Sequence, residues 1–434
     1  MANRGSPVTL AANVQDRLIY AARDKLLNLQ NQAVLELNGK LNEKRLARAV
    51  RLSIEAEPIL GSRFIEKINR PHWQRISDLD SVKWFSLERT VDKQRAVNRF
   101  LTTPLNDENE QQVKVKLIRS RERDTLCVKI SHACCDGGGL KAYQQSLAKI
   151  YTQLGNYEDY VLEAKEGKRD DQNLLLQKLG VANLIKAWEP QWGTMQPTWS
   201  FPFRPSEPGE LQIAIRRLPG KHVDALSAYA KKRGASMNDL LLTAYYRALF
   251  ELIKPPPGKP REILITVDLR RYLQAVKSNE INNLSSAVAA RLLRVAGEPF
   301  EKTLARVSAI MSEIKRKQPG IHVAALFGLL SLLSYAQTFN VVDGIKKWML
   351  QTGKSSPILS NVGSISPSTI WFGKIPVADA YQVSPAIYAP GLMLGVCTYN
   401  NRLTFTVSYY QPGTPQEKVE RLLEIMLQEL KACR

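Results

Sequence analysis

The stretch KISHACCDGGGLKAYQQ, residues 129–145, decides how this chain is read. It continues the alternating run TLCVKIS (125–131), in which extended backbone sends successive side chains to opposite faces. Leu126, Val128, Ile130 and His132 then share one face, while Cys127, Lys129 and Ser131 face the other way. His132 thus ends an apolar stripe and points inward. Downstream, Leu140, Tyr143, Leu147, Ile150, Tyr151 and Leu154 recur at helical spacing, so a helix follows. The turn between them is His-Ala-Cys-Cys-Asp-Gly-Gly-Gly, whose three glycines permit unusual backbone angles and the close approach of another group. An inward histidine beside bare backbone N–H groups suits proton transfer and oxyanion stabilisation.

Rival readings of His132 are weaker. A structural zinc needs four placed ligands, and the sequence holds no CxxC or HxxxH partner for His132, Cys134, Cys135 and Asp136. A Ser-His-Asp hydrolase would need an activated serine, and no G-x-S-x-G occurs. The fragment GKSS (353–356) lacks the upstream glycine of a phosphate loop, Trp348 standing in its place. A core histidine with a satisfied hydrogen bond is the ordinary alternative.

The chain of 434 residues is long enough for two domains with real cores, and its 44% hydrophobic and 24% charged residues are those of a globular protein. Lys plus Arg number 61 against 41 Asp plus Glu, a net charge of +20. That excess favours an anionic partner, although the cations are spread along the chain as on a diffusely basic surface. No RNP signature, zinc finger or basic helix accompanies it, so nucleic acid is not the favoured partner. Five cysteines, two of them adjacent, are no disulfide framework and fit a reducing cytoplasm. The N-terminus lacks an apolar signal core, and the apolar run VAALFGLLSLLSYA (323–336) is too short for a transmembrane segment. It reads as a buried helix, with the wall of a greasy pocket as the lesser alternative.

Strands and helices interleave in both halves, which predicts an α+β fold. NEKRLARAVRLSIEAEP is a helix capped by Asn42 and ended by Pro58. QQVKVKLIRS and TLCVKIS form a β-hairpin across RERD. AWEPQWGTMQPTWSFPFRP, with three tryptophans among four prolines, reads as a crossover. After it come a strand at LQIAIRRLP, two helices (the second capped by Ser236), strands at EILITVDLR and PILSNVGSI, two strands joined at Asn400-Asn401, and a final amphipathic helix. The expected division is an N-terminal lobe at 1–180, a linker at 181–205 and a C-terminal lobe at 206–434.

HACCDG has the form H-x-x-x-D-G, and its place after an alternating strand resembles the active-site motif of the CoA-dependent acyltransferase superfamily. That group includes chloramphenicol acetyltransferase, condensation domains of peptide synthetases, plant BAHD acyltransferases and wax ester synthases. NVQDRLIYAA, LNGKLNEKRLARAVRLSIEAEPILGSRF, YAKKRGASMNDLLLTAYYRAL, ITVDLRRYL, NNLSSAV and ILSNVGSIS resemble further family signatures in order, covering about residues 8 to 430. The resemblance implies two chloramphenicol-acetyltransferase-like lobes, each a mixed sheet with flanking helices, and a tunnel between them. It fits a whole stand-alone enzyme of the condensation-domain or alcohol-acyltransferase type, expected to be a cytoplasmic monomer.

Carried over residue by residue, the resemblance makes His132 the general base in acyl transfer from a thioester to an alcohol or amine. Asp136 is implied to hold the loop's shape by pairing with an arginine, Arg17 being the candidate; proton transfer by Asp136 is the other reading. Gly137 is implied to leave room for the donor and to offer its N–H to the oxyanion. Ser360 and Asn361 match a later signature as loop supports. No permanently bound cofactor is implied; acyl-CoA or an acyl-phosphopantetheine is the co-substrate, and an acidic acyl- or peptidyl-carrier protein is a possible partner, both of which would suit the positive charge. Ser131 stands where a second histidine is common, Gly61 where condensation domains carry arginine, and TIWFGKIP (369–376) only faintly echoes the plant DFGWG motif. A non-catalytic module that binds a carrier protein or another partner is the alternative.

Overall fold

Polar side chains that satisfy free backbone amides begin six of the ten described α-helices, and apolar periodicity buries one face of most of them. The structure, a computed structural model, describes residues 8–68, 70–105, 111–170, 174–175, 177, 196–273 and 281–433. β1 (Thr9–Ala11) leads into α1 (Val14–Ala22), where Asn13 and Asp16 cap each other's amides reciprocally. After β2 (Gln30–Leu37), Asn42 caps α2 (Glu43–Ala56), whose Leu46, Val50 and Ile54 are all buried. β3 (Ser62–Ile65) and β4 (His72–Arg75) join β1 in a small antiparallel sheet. β5 (Phe85–Arg89) and α3 (Lys93–Thr102) precede the expected hairpin, β6 (Val113–Arg119) and β7 (Asp124–Ser131), paired with Val113 opposite Ile130. α4 (Gly137–Asn156) leaves the end of β7.

The second half opens with β8 (Leu211–Leu218), α5 (Gly220–Lys232) and α6 (Met237–Ile253), the last begun by a Ser236–Asp239 capping box. β9 (Arg261–Asp268), β10 (Ser285–Leu292), α7 (Phe300–Arg316), α8 (Ile321–Leu330) and α9 (Tyr335–Thr352) follow. Then come β11 (Ile358–Ile365), β12 (Trp371–Phe372), β13 (Ile375–Val383), β14 (Met393–Tyr399), β15 (Arg402–Tyr410) and α10 (Gln416–Ala432). Asn400 and Asn401, at φ 43° and 59°, make the expected tight turn between β14 and β15, since asparagine tolerates the left-handed region.

Two large mixed sheets result, each with its own apolar core, as an α+β protein of two lobes requires. The first runs β12-β13-β2-β7-β6-β5 and the second β10-β9-β11-β14-β15-β8. β7 is buried on both faces. On the face opposite His132, Lys129 donates from Nζ to the carbonyls of Phe100 and Thr103 and so closes the C-terminal end of α3. Burial lowers the Lys129 ammonium to about 7.

Two expectations need correction. The division at 206 does not follow the sheets, because β13 pairs with β2 and β12 with β13 in the first sheet. The chain crosses back between the lobes, and an antiparallel partner for β2 is worth more than contiguity in sequence. The apolar run 323–336 is not one buried helix either. Ser334 and Gln337 form a capping box that ends the run and starts α9, leaving Leu332 81% exposed between α8 and α9. Most of the proposed linker, with Trp188 and Trp192, lies outside the described residues; Trp199 is buried and donates its indole N–H to the carbonyl of Glu262.

Asp379 on β13 sits in the first sheet yet accepts from Arg217 of β8 at 2.7 Å and Arg402 of β15 at 2.8 Å. It is buried while both arginines keep solvent contact. Asp379→Ala is expected to cost about 1–3 kcal/mol in denaturant unfolding, since charged hydrogen bonds are lost but partly replaced by water.

Candidate active site

Successive hydrogen bonds fix the turn after β7. The His132 amide donates to the Leu29 carbonyl at 2.7 Å, which continues the β7–β2 pairing one residue past the strand. Beyond it the chain reverses, and donors from three separate segments hold its carbonyls. Asn283 Nδ2 donates to His132 and Ala133, Arg169 Nη2 to Cys134 and Asn31 Nδ2 to Cys135, at 2.7–3.0 Å. Arg169 is itself held by Asp16, which also accepts from the Trp73 indole. The loop is therefore rigid although it has no regular structure.

His132 Nδ1 lies 3.2 Å from the Cys135 carbonyl oxygen. A carbonyl can only accept, so Nδ1 carries the proton and Nε2 the lone pair. Burial pushes the imidazole below its ordinary value, and the opposing field of Asp136 does not restore it. The ring is neutral at pH 7. It lines a cavity of about 110 Å³ between the lobes, whose walls include Asn31, Lys141, Ser360, Gln382 and Ser384.

Asp136 also lines this cavity, but its carboxylate is taken up by partners other than His132. Its carboxylate caps α4 by accepting from the Gly139 amide at 2.9 Å, and it also accepts from the Leu284 amide and from Arg270 Nη1 at 3.0 Å. Burial alone would raise its pKa; Arg270 and the two amides reverse that and hold it below the usual carboxylate range. Arg270, in the turn that follows β9, also donates to the Asn282 carbonyl and to Asp268.

The glycines are there for space. All three lie in regular α4 rather than in the left-handed region, so unusual backbone angles do not explain them. A Cβ at Gly137 would meet Val362 Cγ1 at 2.6 Å, and one at Gly138 would meet Arg270 Nη1 at 2.6 Å. Strand β11 and the ion pair thus abut the first turn of the helix. Gly137 and Gly138 are also the first two helical residues, whose amides have no acceptor within the helix.

A family model described as the condensation domain matches residues 22–254, a span that includes this entire loop. The chain belongs to the condensation-domain family. Among solved structures it is similar in fold to the first condensation domain of the CDA synthetase, at 17% identity and TM-score 0.71, over 99% of this chain and 98% of that one. It is similar to TRI3 trichothecene 15-O-acetyltransferase from Fusarium sporotrichioides at 11% identity and TM-score 0.72, over 98% and 95%. It is also similar to polyketide synthase associated protein 5 from Mycobacterium tuberculosis at 13% identity and TM-score 0.65, over 98% of each. No curated protein matches it.

Against this condensation-domain framework the expected site residues divide. His132, Asp136, Gly137, Ser360 and Asn361 converge on one cavity. Ser360 accepts from Thr266 at 3.3 Å; Asn361 bridges the Gly363 amide and Asn238. Arg17 is not the partner of Asp136. It points toward α8 and α9, donates to the carbonyls of Ser331 and Leu333, and lines a separate cavity of about 570 Å³ with Phe327 and Lys168. Arg270 takes its place. The signal was present in VDLRRYL, but nothing in sequence ranks one arginine over another across 134 positions.

Cys134 and Cys135 are buried, and burial raises both thiols well above their ordinary range, which disfavours thiolate chemistry. A double-mutant cycle of Asp136→Asn with Arg270→Met is expected to show a coupling of about 1–3 kcal/mol in urea unfolding. The same cycle with Arg17→Ala is expected to show none.

Proposed function

We propose that this condensation-domain protein is an acyltransferase that moves an acyl group from a thioester to a hydroxyl or amine, with His132 as general base. One observation carries the reading: a neutral imidazole with Nδ1 tied to the Cys135 carbonyl, its ring lining a cavity built by both lobes. Nε2 takes the proton of the acceptor as the acceptor's oxygen or nitrogen bonds to the thioester carbonyl carbon. The carbonyl oxygen becomes an oxyanion, for which the Gly137 amide, without an acceptor inside the helix, is the candidate donor. Collapse re-forms the C=O bond and breaks the C–S bond, and the imidazolium returns its proton to the leaving thiolate. Asp136 takes no proton in this scheme; bound by Arg270 and two amides, it holds the loop.

The donor is an acyl-CoA or the phosphopantetheine arm of a carrier protein. The surplus of cations suits either, since both carry phosphate and carrier proteins of this kind are acidic. No residue of the apolar segment 321–352 lines the His132 cavity, so that segment gives no support to a lipophilic substrate. A thiol-release assay over acyl-CoAs and acyl-carrier proteins tests the reading. His132→Ala is expected to lower the rate by about 10²–10⁴. Equal rates for the two proteins would exclude the mechanism, and no turnover with any donor would favour a carrier-binding module.

The protonation state gives a second check. The base must be neutral and its pKa is lowered, so the rate is lost only as pH falls through that lowered value. The acid limb of kcat/KM is expected to have its midpoint below the unperturbed histidine value of about 6.5.

A further inference from the structure

Lys141 is the fifth residue of α4, one helical turn beyond Gly137 and on the same face. Helical side chains lean toward the N-terminus, so Lys141 reaches back along the glycine surface toward the cavity that it lines with His132. Its Nζ donates to the Val362 carbonyl at 2.7 Å, leaving two N–H bonds for other acceptors. The neighbouring cation, Arg270, is taken by Asp136 and Asp268. Among the described residues no carboxylate lies within ion-pair distance of Lys141. Burial lowers its pKa, and the fields of Asp268 and Asp136, both held by Arg270, do not restore it. Besides those two carboxylates, the walls carry hydroxyls and amides from Thr266, Ser285, Ser360, Gln382 and Ser384.

We propose that Lys141 is a specificity residue, and that one of the two substrates of the proposed acyl transfer carries a carboxylate that Lys141 binds inside the cavity. Lys141 and the substrate carboxylate then form an ion pair inside the cavity, whose own carboxylates, Asp136 and Asp268, are already paired with Arg270. This rests on the acyl-transfer reading for the word substrate, but its test is binding.

Matched pairs distinguish the two sources of the carboxylate. The donor pair is succinyl-CoA against 4-methylpentanoyl-CoA, which share the CoA phosphates and differ at the far end of the acyl group. The acceptor pair is L-serine against L-serinamide. Affinities are measured by titration calorimetry on wild type, Lys141→Met and Lys141→Arg, with fold checked by thermal melting. In one arm the wild type is expected to favour the carboxylate by about tenfold, as for a charged hydrogen bond. Lys141→Met is expected to bring that ratio towards one, and Lys141→Arg to keep most of it.

The proposal is overturned by a wild type that shows no preference in either arm, or by a preference that survives Lys141→Met. It is equally overturned if Lys141→Met weakens both members of a pair alike, the mark of a structural or oxyanion role. A carboxylate preference that depends on Lys141 in a protein that turns over no donor would sustain the site and sink the acyl-transfer reading instead.

Discussion

The buried pair of Asp136 and Arg270 is the constraint on which the site depends. One partner follows β7 in the first lobe, and the other lies in the turn that follows β9 in the second. Removing two charges from water is costly, and mutual attraction offsets that cost only when the remaining donors and acceptors are also satisfied. Asp136 meets the condition with the amides of Gly139 and Leu284, and Arg270 meets it at both Nη atoms with Asp268 and the Asn282 carbonyl, its Nε being left without a partner among the described residues. The pair fixes geometry. It starts α4, presses the helix terminus against β11, and sets the distance between the lobes at the cavity.

The charge of the His132 imidazole is set by burial more than by this pair. A carboxylate so near a histidine would ordinarily stabilise imidazolium. Here Asp136 does raise the His132 pKa, but burial lowers it further and wins. Burial thus leaves Nε2 its free lone pair in spite of the nearby carboxylate. The carbonyl bonds from Asn31, Asn283 and Arg169 complete the arrangement by fixing the loop against which Nδ1 donates.

What could be read from sequence was what depends on near neighbours. The β6–β7 hairpin, the Asn42 and Ser236 caps and the inward face of His132 follow from alternation and short-range capping, and the structure has them. The H-x-x-x-D-G motif placed three site residues together because they lie within six positions. The arginine was misplaced because ion pairing over long separations leaves no local mark. Arg17 and Arg270 are equivalent as letters, and only the fold directs one to backbone carbonyls of the α8–α9 turn and the other to Asp136. β13 was missed for a like reason: its sheet is set by pairing with β2, hundreds of residues earlier. The break at Ser334 was legible in principle, since S-x-x-Q is a capping-box signal, but continuous hydrophobicity masked it.

The return of β13 to the first sheet bears on how substrates reach His132. β13 contributes Gln382 and Val383 to the cavity wall while paired with β2, and its Asp379 is bonded to two strands of the other sheet. Wide parting of the lobes would therefore break either a strand ladder or a buried carboxylate's two ion pairs. Lys141 to Val362 and Gln382 to Gly137 add direct bonds at the cavity itself. A site fastened on several sides favours entry through openings at the cavity's ends over hinge opening of the whole molecule. If the proposed acyl transfer holds, a wall side chain such as Lys141 would meet the substrate in the same confined space as His132, coupling selection by charge to proton transfer.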